Sequence, residues 1–292
     1  MALQIPELPY VAPQEELPHA LPNPFTVAQR REFQDPIRAR QGIRINEHYV
    51  VKFGLDEASG TSEAINMLIV KKYTSIRIPT LYAAWPYNHN GTEVWVLLIE
   101  AVDDVVVDEE WFQKPENQDS LLMDSVKRQL QEARLELRRI PHPGTGYNLY
   151  GHLRCFENPH LDLKLFNTTE QARDWLFHAM VPKYQAQGHS AIEQQHAKRW
   201  ESAHDKFCGG LTGGDKAIFT HFNLSPSTVK VRANGRILIT GWEFAGFFPP
   251  EFEYVTAYKA GGLGSVWSHN VSRCLSDGVY DEALELIEKT TE

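Results

Sequence analysis

The order in which strand-like and helix-like stretches follow one another does most to restrict this chain. Between Ile43 and Glu100 the apolar runs are short and β-favouring: Ile43-Arg44-Ile45, His48 to Phe53, Ile76 to Ala84 and Val94 to Glu100. One helical stretch interrupts them, Thr61 to Tyr73, with Ala64, Met67, Leu68 and Val70 on adjoining faces and Thr61 or Ser62 placed to cap it. From Ser120 the pattern turns helical. Leu121, Leu122, Val126, Leu130, Ala133 and Leu137 recur at helical intervals until Ile140-Pro141, where proline ends the run. Thr168 to Met180 and Ser190 to Phe207 follow in the same manner. Strand signals then return, as Val229-Lys230-Val231 and Ile237-Leu238-Ile239 flank an Asn234-Gly235 hairpin turn. The expected class is therefore α+β: a small antiparallel sheet with one helix, then a larger, mainly helical part. With 292 residues and 42% hydrophobic composition, both parts can be filled with a core.

Six prolines between Pro6 and Pro24 predict that residues 1–25 form an extended arm, packed over the first lobe rather than inside it. Residues 26–101 then make the small lobe and residues 102–292 the helical one. Gly144 to Pro159 reads as a loop. Gly209 to Gly214 reads as a connector, because it lacks the Gly-Lys-Ser/Thr ending of a phosphate-binding loop. A net charge of -9 without a Lys/Arg run speaks against general affinity for nucleic acid or an anionic membrane surface. No apolar run approaches the roughly 20 residues that span a bilayer, and the N-terminal residues lack the pattern of a secretory signal, so a cytoplasmic location is expected. Cys155, Cys208 and Cys274 are far apart and suggest no disulfide framework. Twelve histidines show no His-Glu-x-x-His or comparable spacing, so no metal site is expected.

The segment Phe219-Thr220-His221-Phe222-Asn223-Leu224-Ser225-Pro226-Ser227-Thr228-Val229, followed by Ile239-Thr240-Gly241-Trp242-Glu243-Phe244-Ala245-Gly246, carries the functional information. It resembles the aminoglycoside phosphotransferase and choline kinase-like family, whose His-Gly-Asp-Leu-x-Pro-x-Asn loop precedes an Ile-Asp-Trp-Glu-Phe-Ala-Gly segment. The similarity extends over residues 40–262 and is nearest to fungal members. It implies a bilobal protein kinase-like fold. It also implies that Lys52 is the nucleotide-phosphate lysine, that Glu63 pairs with it, and that Glu100 belongs to the nucleotide side of the cleft. His221 and Asn223 would stand in the catalytic loop. Phe222 stands where the family has glycine.

Three positions depart from the family in the groups that phosphoryl transfer needs. The Asp that takes or orients the substrate proton is Asn223, the metal-binding Asn is Thr228, and the second metal-binding Asp is Gly241. A neutral amide cannot accept the proton, which forfeits about 10²- to 10⁴-fold. A hydroxyl and a missing side chain replace hard oxygen ligands of magnesium. These are the marks of a pseudokinase. Three readings stay open on the sequence. One is a kinase scaffold repurposed for small-molecule biosynthesis of the secondary-metabolite type, by non-phosphoryl chemistry in the interlobe cleft. Another is a non-catalytic pseudokinase that binds a nucleotide, metabolite or protein. The last is an atypical phosphotransferase. In all three a small molecule is the expected partner, no cofactor is required, and weak nucleotide binding independent of magnesium is compatible with Lys52 and Glu63 being retained.

Overall fold

The computed structural model describes residues 3–23, 27, 31–55, 57–103, 105–107, 109–117, 120–144, 168–180, 191–209, 217–261 and 265–275. Its first part is a five-stranded antiparallel sheet in the order β1-β4-β5-β3-β2. The strands are β1 (Tyr10–Val11), β2 (Ile43–Arg44), β3 (Tyr49–Leu55), β4 (Leu81–His89) and β5 (Thr92–Glu100). β2 and β3 form the expected hairpin, whose turn is organised by Asn46: its Oδ1 accepts from the backbone N–H of His48 and Tyr49, at 2.8 Å each. β4 and β5 are joined through Asn90 and Gly91, both at positive φ (53° and 84°), as a tight two-residue hairpin requires.

β5 reads as an unbroken apolar run because both of its faces are covered. Trp95 and Leu97 face the larger core, whereas Val96 and Leu98 face a second, smaller one with Tyr49, Val51 and Phe53. The smaller core is closed by Val27, Phe33 and Ala39, the last on α1 (Pro36–Gln41). The larger core takes Ala64, Met67, Ile69 and Val70 from α2 (Glu57–Tyr73).

Several sequence expectations shift here. α2 begins at Glu57, four residues before Thr61. Thr61 caps nothing, since its hydroxyl donates back to the Glu57 carbonyl at 2.6 Å, within the helix. The strand expected over Ile76–Ala84 starts only at Leu81, after Pro79, and runs on to His89. The N-terminal segment supplies β1, which pairs with β4 at the edge of the sheet, and Leu3 and Ala12 are buried.

The second part is mainly helical. α3 (Leu121–Leu137) is capped by Ser120, whose Oγ accepts from the Met123 N–H at 3.1 Å, and it buries Met123, Val126, Leu130, Ala133 and Leu137. α4 (Thr169–Met180) opens with Thr168 Oγ1 accepting from Gln171 N–H at 3.1 Å, and it packs on α5 (Ala191–Gly209). β6 (Val105–Val107), β8 (Val229–Arg232) and β9 (Ile237–Ile239) make a three-stranded sheet, with Gly235 at φ 75° in the predicted turn. β7 (Ile218–Thr220) pairs with β10 (Gly246–Phe248), just before α6 (Phe252–Ala260). The Gly144–Pro159 loop beyond Gly144 and most of the Gly209–Gly214 connector lie outside the described residues. No helix among the described residues is long and apolar enough to cross a membrane.

Candidate functional site

Between the five-stranded sheet and the β7–β8 loop lies a cavity of about 530 Å³. Lys52 of β3, Glu63 of α2, Asn223 and Thr228 of the loop, and Gly241 and Glu243 of the turn after β9 all line it. Six residues spread over 192 positions of sequence therefore meet at one cleft.

Lys52 Nζ donates to Glu63 Oε1 at 2.5 Å and stands 4.0 Å from Glu243 Oε2. Two carboxylates thus share one ammonium in a largely buried place. Burial and the charge of Glu243 hold Glu63 above the ordinary carboxylate range, at about 7, against the opposing pull of Lys52. Lys52 is itself raised: burial works against its charge, but Glu63 and Glu243 outweigh it. Glu243 lines the cavity, and its Oε2 has no hydrogen-bond partner among the described residues.

Thr228 and Gly241 mark the two places where the family resemblance puts metal ligands. The Thr228 hydroxyl is turned into its own loop, bonding the Asn223 carbonyl at 2.8 Å and accepting from the Ser225 N–H at 3.0 Å. Gly241 adopts φ 77°, ψ 55°, and a Cβ there would lie 3.1 Å from Thr228 Cγ2 and 3.7 Å from both Asn223 Nδ2 and Glu243 Oε2. The residues present do not fit the magnesium–nucleotide centre that the resemblance implies. One hydroxyl is spent, one side chain is missing, and the two carboxylates of the cavity, Glu63 and Glu243, share one ammonium. The crowding at Gly241 has a measurable consequence. Gly241→Ala is expected to cost about 1–3 kcal/mol from the left-handed backbone and the Thr228 contact. Part of that loss should disappear in a Thr228→Ser background, which keeps the hydroxyl and removes Cγ2. Equal losses in the two backgrounds by urea denaturation would show that the methyl is not the obstacle.

His221, placed in the catalytic loop by the resemblance, is bound to that loop's backbone. The ring is fully buried, Nε2 donates to the Thr240 carbonyl at 2.9 Å, and Nδ1 accepts from the Asn223 N–H at 3.2 Å. Burial lowers its pKa to about 4, so the ring is neutral and both nitrogens are occupied in shaping the loop. It does not line the cavity. Glu100, expected on the nucleotide side, also points elsewhere. Its carboxylate pairs with Arg77 and accepts from the N–H and Oγ1 of Thr80, at 3.0 Å each, so it fastens β5 to the segment before β4. Asp103, in the acidic stretch after β5, is paired with Arg44. Asn223 lines the cavity, and among the described residues no hydrogen bond engages its side-chain amide.

Two residues that shape the site gave no chemical signal in the sequence. Asn66, one turn after Glu63 on α2, donates to the carbonyls of Trp242 and Ala245 at 2.9 and 2.8 Å. Glu253 of α6 accepts from the backbone N–H of His221 at 2.5 Å and of Phe222 at 3.4 Å, and so holds the loop from behind.

No family model matches the chain, and no curated protein matches it. Similar solved structures include the gentamicin complex of the aminoglycoside phosphotransferase APH(2″)-IIa, at 13% identity over 84% of this chain and 75% of that one, with a TM-score of 0.49. A thermostable mutant of aminoglycoside phosphotransferase APH(4)-Ia shares 12% identity over 86% of this chain and 88% of that one, with a TM-score of 0.48. Choline kinase LicA from Streptococcus pneumoniae shares 11% identity over 86% of this chain and 78% of that one, with a TM-score of 0.47. At such values the likeness concerns the course of the chain and reaches no further.

Proposed function

We propose that this protein uses a kinase-like cleft to bind a small molecule and that it does not transfer phosphoryl groups. The inward turn of the Thr228 hydroxyl carries this reading, because it leaves the loop without the ligand that a phosphate-bridging metal requires. Among the groups that line the cavity are the Lys52–Glu63–Glu243 cluster and Asn223. A carboxyl held near 7 beside a lysine is suited to proton transfer at neutral pH, which favours repurposed chemistry over a purely passive scaffold. Biosynthesis of a small molecule is the setting proposed for that chemistry, and a non-catalytic pseudokinase is the competing reading.

The experiment is calorimetric titration of the purified chain with ATP, with and without magnesium, while released phosphate is followed in parallel. The expected result is binding that magnesium does not strengthen, with no phosphate released above the buffer rate. Magnesium-dependent binding with turnover, lost in Glu243→Gln, would sink the proposal and make Glu243 the replacement ligand of an atypical phosphotransferase.

A further inference from the structure

Away from the cleft, α4 and α5 bring three metal-ligating side chains, Asp174, His178 and His204, to one place, with Cys208 next to His204. Asp174 and His178 are four residues apart on α4, and His204 and Cys208 are four apart on α5, so each pair lies on one helix face. Asp174 Oδ1 is 2.8 Å from His204 Nε2 and 3.4 Å from His178 Nε2, and Cys208 Sγ is 3.5 Å from His204 Nε2. The carboxylate oxygen and a ring nitrogen from each histidine all lie within 4.8 Å of one another. Ligands at about 2.0–2.3 Å from a tetrahedral ion are separated from one another by about 3.3–3.7 Å. The 3.4 Å separation is of that size, and the 2.8 Å contact would need only a small rotation of Asp174 about its side chain.

The surroundings are those of a metal ligand set. His204 turns Nε2 to the cluster, while its Nδ1 faces the exposed Asp205 carboxylate at 3.6 Å, too far for a direct hydrogen bond. The Trp200 ring stacks on His204, with centroids 5.3 Å apart and planes inclined by 5°, and Phe177 meets the same imidazole edge-on. These rings wall the inner side, and the exposed His178 leaves the outer side open to solvent. We infer that Asp174, His178 and His204 form a site for a zinc-class divalent ion that clips α4 to α5, with the fourth position open to water. The sequence did not show it, because Asp-x-x-x-His and a distant histidine are unremarkable alone and become a ligand set only when two helices are packed together.

Chelator-treated full-length protein titrated with Co²⁺, and separately with Zn²⁺, tests this. One equivalent of Co²⁺ should give the visible bands of a tetrahedral site and should quench Trp200 fluorescence. His178→Gln should bind about tenfold more weakly or worse. His178 is exposed, so the variant should fold like the parent by circular dichroism. Zn²⁺ should displace Co²⁺ and raise the melting temperature of the parent but not of His178→Gln. A cobalt titration without tetrahedral bands, or unchanged affinity in His178→Gln, overturns the site.

Discussion

Replacing Phe222 by alanine should destabilise the protein by about 3–5 kcal/mol, and replacing it by glycine should cost about 1 kcal/mol less. Two opposed effects meet at this residue. Its backbone is in the left-handed region at φ 66°, which costs a residue with a Cβ roughly 1–2 kcal/mol. Its ring is buried against Phe248 at 4.7 Å in a stacked pair, with Phe252 at 6.0 Å and Trp175 at 6.3 Å. The aromatic cluster therefore holds in place a backbone that its own residue disfavours. Both substitutions empty the same space, but alanine keeps the strain whereas glycine relieves it. The usual rank of alanine over glycine is thereby inverted. Urea denaturation of the two variants measures the order directly. An alanine variant as stable as the glycine one would mean that residue 222 does not hold the left-handed conformation in solution.

Glu253 should have the other large effect, and one that depends on pH. Its Oε2 accepts from two buried backbone N–H groups, so Glu253→Ala leaves both unpaired at about 1–3 kcal/mol each. Burial raises this carboxyl from 4.5 to about 7, despite the two N–H bonds and the more distant Arg138 and Arg134 that favour its charge. Oε1, which has no hydrogen-bond partner among the described residues, is the free position for the proton. The sign follows from which state binds more protons. Between pH 4.5 and 7 the folded protein holds a proton on Glu253 that the unfolded chain has released, so this contribution is fully present below pH 4.5 and is lost as pH rises through 7. A difference of that size corresponds to about 3 kcal/mol. Glu63, also held at about 7, acts in the same direction. His221 acts in the opposite one: its ring titrates at about 4 when folded and 6.5 when unfolded, so it removes stability as pH falls through that window. The net expectation is a protein less stable at pH 8 than at pH 5. Glu253→Gln keeps an acceptor for the two N–H groups and loses the proton linkage, so its decline over that range should be smaller by about 3 kcal/mol. Parallel pH profiles for the parent and Glu253→Gln would refute the raised carboxyl.

How much of this was legible in the sequence differs from one element to another. β3, β5, α3 and the β8–β9 hairpin were readable because periodicity, proline and Asn-Gly turns act locally. α2 began earlier than expected because Glu57-Ala58-Ser59-Gly60 carries no apolar stripe of its own, and packing on the sheet extends the helix. β1 was hidden because two residues flanked by proline make no pattern until a strand edge lies beside them. In the cleft, Lys52, Glu63, Asn223, Thr228 and Gly241 were picked out by the family resemblance. The entry of the Glu243 carboxylate into the cavity is visible only in the structure. His221 and Glu100 turn to partners that the sequence does not reveal, a backbone carbonyl for the first and Arg77 with Thr80 for the second. Asn66 and Glu253 were invisible, because holding main-chain groups leaves no motif.

Glu63 and Asn66 stand one turn apart on α2, the first gripping β3 through Lys52 and the second gripping the carbonyls of the 242–245 turn. The two walls of the cleft are thus rivetted to a single rod. Sliding or swinging that rod to admit a ligand would have to break a buried ion pair and two buried hydrogen bonds together. A molecule that bound there would therefore have to match the cleft as it stands, and little of its binding energy would be consumed in closing it.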